Sequence, residues 1–173
     1  MFKHIVLTDV CYQTHYAQAA GVVIQHWTDI EPRAEHLCCS SEVEDYVSGQ
    51  FYQRELPHLL TLLKEVGPYD CVVVDAHVWL EASQPGAGHY LWRALDERVP
   101  VIGVAKNPFR GGVALPLLRG DSKKPLWISA EGVNPHDARD WIRSMAGPYR
   151  IPTLLKRVDS LSRCPPSDPS TLT

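Results

Sequence analysis

Three apolar segments, the first of them rich in β-branched residues, follow one another before any helical pattern begins. They are Lys3–Val10, Ala17–Trp27 and Ala34–Cys39, and a short polar turn through Gln13–His15 separates the first two. Segments of this kind are typical of β-strands. Three consecutive strands with short connections predict an antiparallel meander. A plain doubly wound nucleotide fold is excluded, because it would begin with a βαβ unit and a glycine-rich first turn.

The rest of the chain alternates between helical and strand patterns. One apolar stripe with the spacing of a helix face, ended by Gly67-Pro68, consists of Leu56, Leu59, Leu60 and Leu63. A buried strand, a helix, a second buried strand, a short edge strand and a helix capped by Asn134 are then expected at Cys71–Asp75, Gly86–Leu95, Val101–Ala105, Leu126–Ser129 and Pro135–Met145. This order predicts an α/β fold with a central mixed sheet, meander plus parallel strands, flanked by helices on both faces. The arrangement fits the ribonuclease H-like architecture.

Length and composition limit the classes of protein to which this chain can belong. A chain of 173 residues predicts one domain, over residues 1–163, followed by a Pro/Ser-rich tail at 164–173 that we expect to be disordered. No apolar run reaches the roughly 18–20 residues of a membrane helix, and the first residues do not resemble a signal peptide. The 5 cysteines show no metal-binding spacing, so we expect reduced thiols in a cytoplasmic protein.

Charge is distributed unevenly along the chain. Residues 1–105 contain 6 Lys/Arg and 14 Asp/Glu, whereas residues 106–163 contain 11 Lys/Arg and 5 Asp/Glu. One interpretation is two solvated faces that happen to segregate. The other is an acidic metal site beside a basic surface that holds phosphates.

Candidate site residues follow the predicted strands. Asp9 and Asp75 each end an apolar strand, and Glu55 begins the leucine-stripe helix. Taken singly, each could be a turn or helix-cap residue. If the two strands are neighbours, however, both aspartates project from one end of the sheet, and three converging carboxylates would hold one or two Mg²⁺ ions. Lys106 follows the strand Val101–Ala105 and could neutralise a phosphate there, or be an ordinary strand-end lysine.

Other kinds of catalytic site have no support in the sequence. The 8 histidines form no HxH or HExxH spacing, which argues against zinc. The sequence has no GxxxxGK[ST], GxSxG or CxxC motif, so P-loop, serine-hydrolase and thiol-redox chemistry are not indicated. His77, two residues after Asp75, is the histidine expected nearest to the carboxylates.

Five blocks, in order along the chain, resemble the endonuclease V family. DVCY at 9–12 resembles the family's DVxY, and YVSGQFYQRELP at 46–57 resembles YxPGFLxFRExP. YDCVVVDAH at 69–77 is similar to DxxxVDGxG, and VPVIGVAKNPF at 99–109 is similar to IPTIGVAKxxL. PYRIPTLLKRVDSLSR at 148–163 resembles YRLPxPxRxADxxSR.

The resemblance implies a Mg²⁺-dependent nuclease, with Mn²⁺ as a substitute, that acts on inosine-containing DNA or RNA in DNA repair. It would cut the second phosphodiester 3′ to the inosine. By matching motif, Asp9, Glu55 and Asp75 would be metal ligands and Lys106 the active-site lysine. Tyr12, Tyr46, Gly49 and Lys106 would contact nucleic acid, with Tyr46 as the wedge that fills the place of an extruded base.

The chain also departs from the family pattern. Ser48 replaces the second proline of the wedge motif, and AHVWLEAS stands where the family has GxGxxHPR after the aspartate. The family's SxGH histidine is missing, and Glu131 or His77 could complete the metal shell instead. Two alternatives to an inosine endonuclease therefore stay open: a divergent nuclease for another DNA or RNA substrate, and a binding module without catalysis. Oligomeric state is not indicated by the sequence.

Overall fold

A computed structural model describes residues 2–14, 16–40 and 51–165. Its elements, in chain order, are β1 (Ile5–Tyr12), β2 (Ala17–Ile24), β3 (Ala34–Ser40), α1 (Phe51–Val66), β4 (Cys71–Val74), β5 (Trp79–Glu81), β6 (Gln84–Pro85), α2 (Ala87–Ala94), β7 (Val101–Ala105), β8 (Leu115–Leu117), β9 (Leu126–Glu131), α3 (Pro135–Ser144) and α4 (Thr153–Ser162). In this part of the chain, none of the helices has the length and apolar character needed to cross a bilayer.

The main sheet is mixed, as predicted. Its strand order is β3-β2-β1-β4-β7-β9-β8. The first three strands form the expected antiparallel meander. β1, β4 and β7 are parallel neighbours, and β9 pairs antiparallel with both β7 and β8. The carboxyl ends of three parallel strands therefore lie together at one edge of the sheet.

Helices cover both faces of the sheet and give it two apolar cores. One core lies under α3 and α4 and contains Leu7, Val73, Ile102, Ile142 and Val158. The other lies under α1 and α2 and contains Val6, Val72, Leu59, Leu63 and Leu91. Because adjacent residues of each parallel strand enter opposite cores, these strands are apolar throughout, which explains their continuous hydrophobic runs.

Several predicted boundaries differ from the structure. β1 continues beyond Val10 to Tyr12, because it stays paired with β2 along its whole length, so Asp9 lies inside the strand rather than at its end. β2 ends at Ile24 instead of Trp27, because the Asp29 carboxylate accepts hydrogen bonds from two backbone N–H groups and closes a turn there. β4 ends at Val74, one residue before Asp75.

The C-terminal half contains elements that the sequence analysis missed. The segment from Leu126 was expected to be an edge strand, but β9 lies between β7 and β8. The edge strand on this side of the sheet is β8, whose three residues include Pro116 and are too few to show a period. The short hairpin of β5 and β6 and the whole of α4 were also not predicted. Asn134 caps α3 as expected, accepting a hydrogen bond from the backbone N–H of His136.

Gly103 in β7 allows the chain after Asp75 to pass close over the sheet. A Cβ atom at Gly103 would lie 2.3 Å from the carbonyl oxygen of Ala76 and 2.9 Å from the backbone nitrogen of Val78. That nitrogen donates to the Ser129 hydroxyl at 2.9 Å, which fixes the segment in place. Gly103 is therefore part of what determines the position of Asp75.

We expect Gly103→Ala to lower the free energy of unfolding by about 3 kcal/mol, because backbone atoms must move to accept the methyl group. Gly21→Ala in β2 is the matched control, since its Cβ would meet only the Leu62 side chain, at 3.4 Å and beyond. Urea unfolding of both variants checks the prediction. A Gly103→Ala variant as stable as Gly21→Ala would show that the crossing segment adapts freely.

Candidate active site

Two aspartates lie side by side on neighbouring parallel strands. β1 and β4 are in register at Thr8 and Val74, and Asp9 and Asp75 are the next residues on each chain. Both carboxylates therefore point to the face of the sheet that α3 and α4 cover. Burial raises the pKa of Asp9, a hydrogen bond from Ser162 opposes this effect, and the charge of Asp75 adds to it.

Lys106 follows β7 and reaches the same place. Its Nζ atom donates to Asp75 Oδ2 at 2.5 Å and lies 3.5 Å from Asp159 Oδ1. Burial lowers the pKa of Lys106, but the hydrogen bond to Asp75 and the surrounding negative charges outweigh this, so the pKa is raised. The Arg150 guanidinium donates to the backbone carbonyls of Lys106 and Pro125 and so holds the lysine segment.

Glu55 approaches the aspartates from α1. Burial, together with the charges of Asp9 and Asp75, raises its pKa from 4.5 to about 8, and Arg54 offsets only part of this rise. The charges of both aspartates therefore act on Glu55. Its helix packs on the opposite face of the sheet from the one that Asp9 and Asp75 point to, and the convergence of all three carboxylates on one cation stays a prediction.

Asp159 in α4 is a fourth carboxylate that the sequence analysis did not select. It contacts Lys106, and its charge raises the pKa of Asp9. Burial raises its own pKa, but hydrogen bonds from Arg163 and Lys156, both at 3.1 Å, outweigh burial and bring the pKa to about 2. The available signal was the aspartate of the C-terminal VDSLSR block. It was passed over because α4 was not predicted.

Glu131 does not join the carboxylates. It pairs with Val101, at the opposite end of β7 from Lys106, and its Oε1 accepts a hydrogen bond from Trp79 Nε1 at 2.5 Å. His77 lies nearer, because it lines the same cavity as Asp75, but its Nε2 atom is 2.9 Å from the backbone carbonyl of Asn107. A carbonyl can only accept, so Nε2 donates to it.

The residues expected to contact nucleic acid are only partly covered by the structure. Tyr46 and Gly49 lie outside the described residues. Tyr12 ends β1, and the Arg54 guanidinium lies over its ring, 3.8 Å from the ring centre. This contact ties Tyr12 to the helix that carries Glu55.

Two cavities meet at Asp75 and Lys106. The first, of about 370 Å³, is lined by the aspartates and α4, including Asp9, Asp159, Lys156 and Arg163. The second, of about 540 Å³, is lined by aromatic and small residues. In its wall, Tyr52 of α1 and Tyr90 of α2 stack with their ring centres 3.6 Å apart. The two cavities place a space lined by both charged and apolar side chains beside an aromatic one.

The carboxylates have the chemistry of a divalent-cation site. Across the ranges that the structure covers, no three Asp, Glu, His or Cys side chains are already drawn together as a ligand set, and the Lys106 ammonium lies against Asp75 instead. The donors nevertheless fit, because carboxylate oxygens are the ligands that Mg²⁺ and Mn²⁺ prefer. A cation among them would also relieve the part of the rise in the Glu55 pKa that the charges of Asp9 and Asp75 add to burial.

Comparison with known proteins identifies the family. The family model of endonuclease V matches residues 2–120, which is more than half of the chain. The chain belongs to the endonuclease V family. The resemblance read from the five sequence blocks is therefore confirmed, and the family model covers the segments that contain Asp9, Glu55, Asp75 and Lys106.

Relatives of known sequence agree with this assignment. Endonuclease V of Streptomyces avermitilis is 29% identical over 90% of this chain and 77% of its own length. The crystal structure of that Streptomyces protein has a TM-score of 0.76 at 28% identity, covering 92% of this chain and 79% of the other. The crystal structure of the catalytic domain of human endonuclease V has a TM-score of 0.75 at 26% identity, covering 94% of this chain and 81% of the other.

A more distant endonuclease V structure shares the fold. The Ciona intestinalis protein, in complex with a DNA that contains an inosine, has a TM-score of 0.79 at 17% identity, covering 94% of this chain and 84% of the other. Together these structures confirm the ribonuclease H-like arrangement of a mixed sheet flanked by helices.

Proposed function

We propose that this endonuclease V family member hydrolyses a phosphodiester bond 3′ to inosine in nucleic acid, with a divalent cation, Mg²⁺ or Mn²⁺, held by Asp9, Glu55 and Asp75. The observation that supports this most strongly is that Asp9 and Asp75 lie side by side on adjacent parallel strands with the Lys106 ammonium against Asp75. A bound cation would supply an activated water and stabilise the leaving oxygen of a phosphodiester. Cleavage beside inosine in DNA would make the protein a DNA-repair enzyme.

The cationic side chains of the first cavity fit the phosphates of the substrate. Lys106 ion-pairs with Asp75, so its ammonium lies next to the carboxylates, where the scissile phosphate must come. Lys156 and Arg163 flank Asp159 in α4 and line the same cavity. Their exposed positions suit phosphates on either side of the cut. This cluster gives the basic C-terminal half of the chain a role in binding.

The aromatic cavity fits a base taken out of the stack. Its volume of about 540 Å³ lies within the range of small-molecule sites, and it opens beside Asp75 and Lys106. The stacked Tyr52–Tyr90 pair offers a flat surface of the kind on which bases stack. The inosine-containing DNA bound to the Ciona intestinalis proteins supports inosine as the base. We propose that the inosine occupies this cavity while its 3′ phosphates lie along the carboxylates.

A cleavage assay on end-labelled oligonucleotides with a single inosine tests the proposal. DNA and RNA versions are incubated with Mg²⁺, Mn²⁺ or EDTA, beside matched inosine-free strands. We expect one cut, one nucleotide beyond the inosine, that depends on the cation. Equal cutting of the inosine-free strands would indicate a nuclease for another substrate. Folded protein that binds the strands but cuts none of them would indicate a binding module.

We expect Tyr90→Ala to raise the KM for inosine-containing oligonucleotides about tenfold with a smaller change in kcat. The loss of one stacking ring costs roughly 1–3 kcal/mol of binding, and Tyr90 stays outside the carboxylate cluster. Tyr90→Phe keeps the ring and is expected to cleave almost as the unaltered protein does. Steady-state kinetics of both variants measure whether the Tyr90 ring contributes to substrate binding. Equal losses in the two variants would indicate that the hydroxyl, not stacking, matters.

A further inference from the structure

Ser162, the last residue of α4, contacts one of the proposed metal ligands. Its side chain is 1% exposed, and its hydroxyl lies 2.5 Å from Asp9 Oδ2 and 2.9 Å from the backbone carbonyl of Asp159. A hydroxyl has one proton to donate. The shorter contact is to the carboxylate, as expected for a charge-assisted hydrogen bond. Ser162 therefore holds one of the two oxygens of Asp9.

The end of α4 is itself fixed from the opposite side by Gln18 of β2. Gln18 is fully buried, and its Nε2 atom lies 2.9, 3.1 and 2.6 Å from the backbone carbonyls of Leu161, Ser162 and Cys164. The last carbonyls of a helix lack partners within the helix, so they need donors of this kind. The Cys39 thiol donates to Gln18 Oε1 at 2.9 Å. With its oxygen facing a donor and its nitrogen facing acceptors, the amide has only one satisfactory orientation.

These contacts form one continuous connection between the meander and the carboxylates. Gln18 is opposite Cys11 on β1 and Cys39 on β3 in the sheet register. The three strands thus determine where α4 ends, and the end of α4 determines how Ser162 meets Asp9. Asp159, one turn earlier in the same helix, is placed by the same connection.

We propose that Ser162 is a positioning residue that orients the Asp9 carboxylate toward the cation, and that Gln18 sets its position by holding the end of α4. This inference rests on the metal site of the proposed function. Partners that orient metal ligands typically change metal affinity or activity by about 10–100-fold when removed. A mere packing role would change stability without changing the affinity for a cation.

The test is Mn²⁺ binding by Ser162→Ala, measured without nucleic acid by electron paramagnetic resonance of free Mn²⁺. We expect the Kd for Mn²⁺ to rise about tenfold or more, and the Mg²⁺ concentration for half-maximal cleavage to rise with it. Ser144→Ala is the matched control, because the Ser144 hydroxyl also donates to a backbone carbonyl near a helix end, that of Trp141 in α3. It is expected to bind Mn²⁺ like the unaltered protein.

The outcomes separate this inference from the proposed substrate. If the unaltered protein binds Mn²⁺ but does not cut inosine strands, the proposed substrate is wrong. Weaker Mn²⁺ binding by Ser162→Ala would still support the positioning role in that case. Thermal unfolding in EDTA verifies that both variants are folded. Equal Mn²⁺ affinity in Ser162→Ala and Ser144→Ala would overturn the inference. No Mn²⁺ binding by the unaltered protein would overturn the metal site and this inference together.

Discussion

Replacing Asp75 by asparagine is expected to lower cation-dependent cleavage by about 10³-fold while leaving the protein folded. Asp75 is the carboxylate that interacts with Asp9, Lys106 and Glu55. It follows β4 beside Asp9, it accepts from Lys106 at 2.5 Å, and its charge raises the pKa of Glu55. Loss of several kcal/mol of charge stabilisation at a metal centre corresponds to this change in rate. Asparagine keeps the shape of the side chain, so packing is hardly altered.

Asp70→Asn is the matched control for this prediction. Asp70 lies just before β4, at the other end of the strand, and a single carboxylate oxygen accepts hydrogen bonds from the backbone N–H groups of Lys3 and His4. The asparagine carbonyl can accept both. We expect this variant to cleave like the unaltered protein in the inosine assay. An Asp75→Asn variant that retains more than a tenth of the parent rate would exclude Asp75 from the role assigned to it.

The convergence of the carboxylates could be predicted because it depends on sheet order. Parallel strands that are buried on both faces have continuous apolar runs, and Cys71–Val74 and Val101–Ala105 are both of this kind. Once the meander is recognised, β1 and β4 are natural neighbours, so that Asp9 within β1 lies beside the residue that follows β4. The positions of Asp9, Asp75 and Lys106 follow from this argument without any knowledge of side-chain contacts.

The contribution of α4 could not be predicted in the same way. Only Leu154, Val158 and Ser162 are buried in this ten-residue helix, so its apolar face is too narrow to stand out as a period. Asp159 and Ser162 reach the site through tertiary packing against β1 and β2, not through a local pattern. The role of Gln18 could not be predicted for a similar reason, because the sequence around a glutamine in an apolar strand does not indicate that its amide caps a helix 143 residues away.

The site also shows why the departure after Asp75 leaves the carboxylates intact. The sequence AHVWLEAS differs from the family pattern, but the crossing over Gly103 and the hydrogen bond from Val78 to Ser129 hold the backbone there. Three of the changed residues, Ala76, His77 and Leu80, line the aromatic cavity, and none of the eight lines the carboxylate cavity. If the aromatic cavity holds the base, as proposed, this difference from the family bears on base recognition more than on the carboxylates.

Without a metal, the protein is expected to become less stable as the pH rises from about 4.5 to about 8. The ordinary pKa of a glutamate side chain is 4.5, and the pKa of Glu55 in the folded chain is about 8. Between these values the folded state keeps a proton that the unfolded state has lost. The free energy of unfolding therefore falls by up to about 1.4 kcal/mol per pH unit from this group. The stabilisation is complete below pH 4.5 and is lost as the pH passes 8. Asp9 acts in the same direction, whereas the lowered pKa of Asp159, about 2, has its effect at more acidic pH.

Urea unfolding in EDTA at pH 5, 6, 7 and 8 measures this slope. The free energy of unfolding of Glu55→Gln is expected to depend less on pH than that of the unaltered protein, because the neutral amide has no proton to lose. Glu65→Gln, an exposed position on the same helix, should keep the full slope. If the unaltered protein and Glu55→Gln show the same dependence on pH, then Glu55 is already ionised in the metal-free protein and the burial argument is wrong.

The same proton links the metal site to pH. A carboxylate must lose its proton before it binds a cation, so Mg²⁺ binding at pH 7 should release about one proton from Glu55. Calorimetric titration in two buffers with different ionisation enthalpies counts that proton, and Glu55→Gln should release none. The affinity for Mg²⁺ should accordingly rise with pH until about 8 and then level off. An affinity that is constant between pH 6 and pH 8 would mean that the cation is held without Glu55, by Asp9 and Asp75 alone.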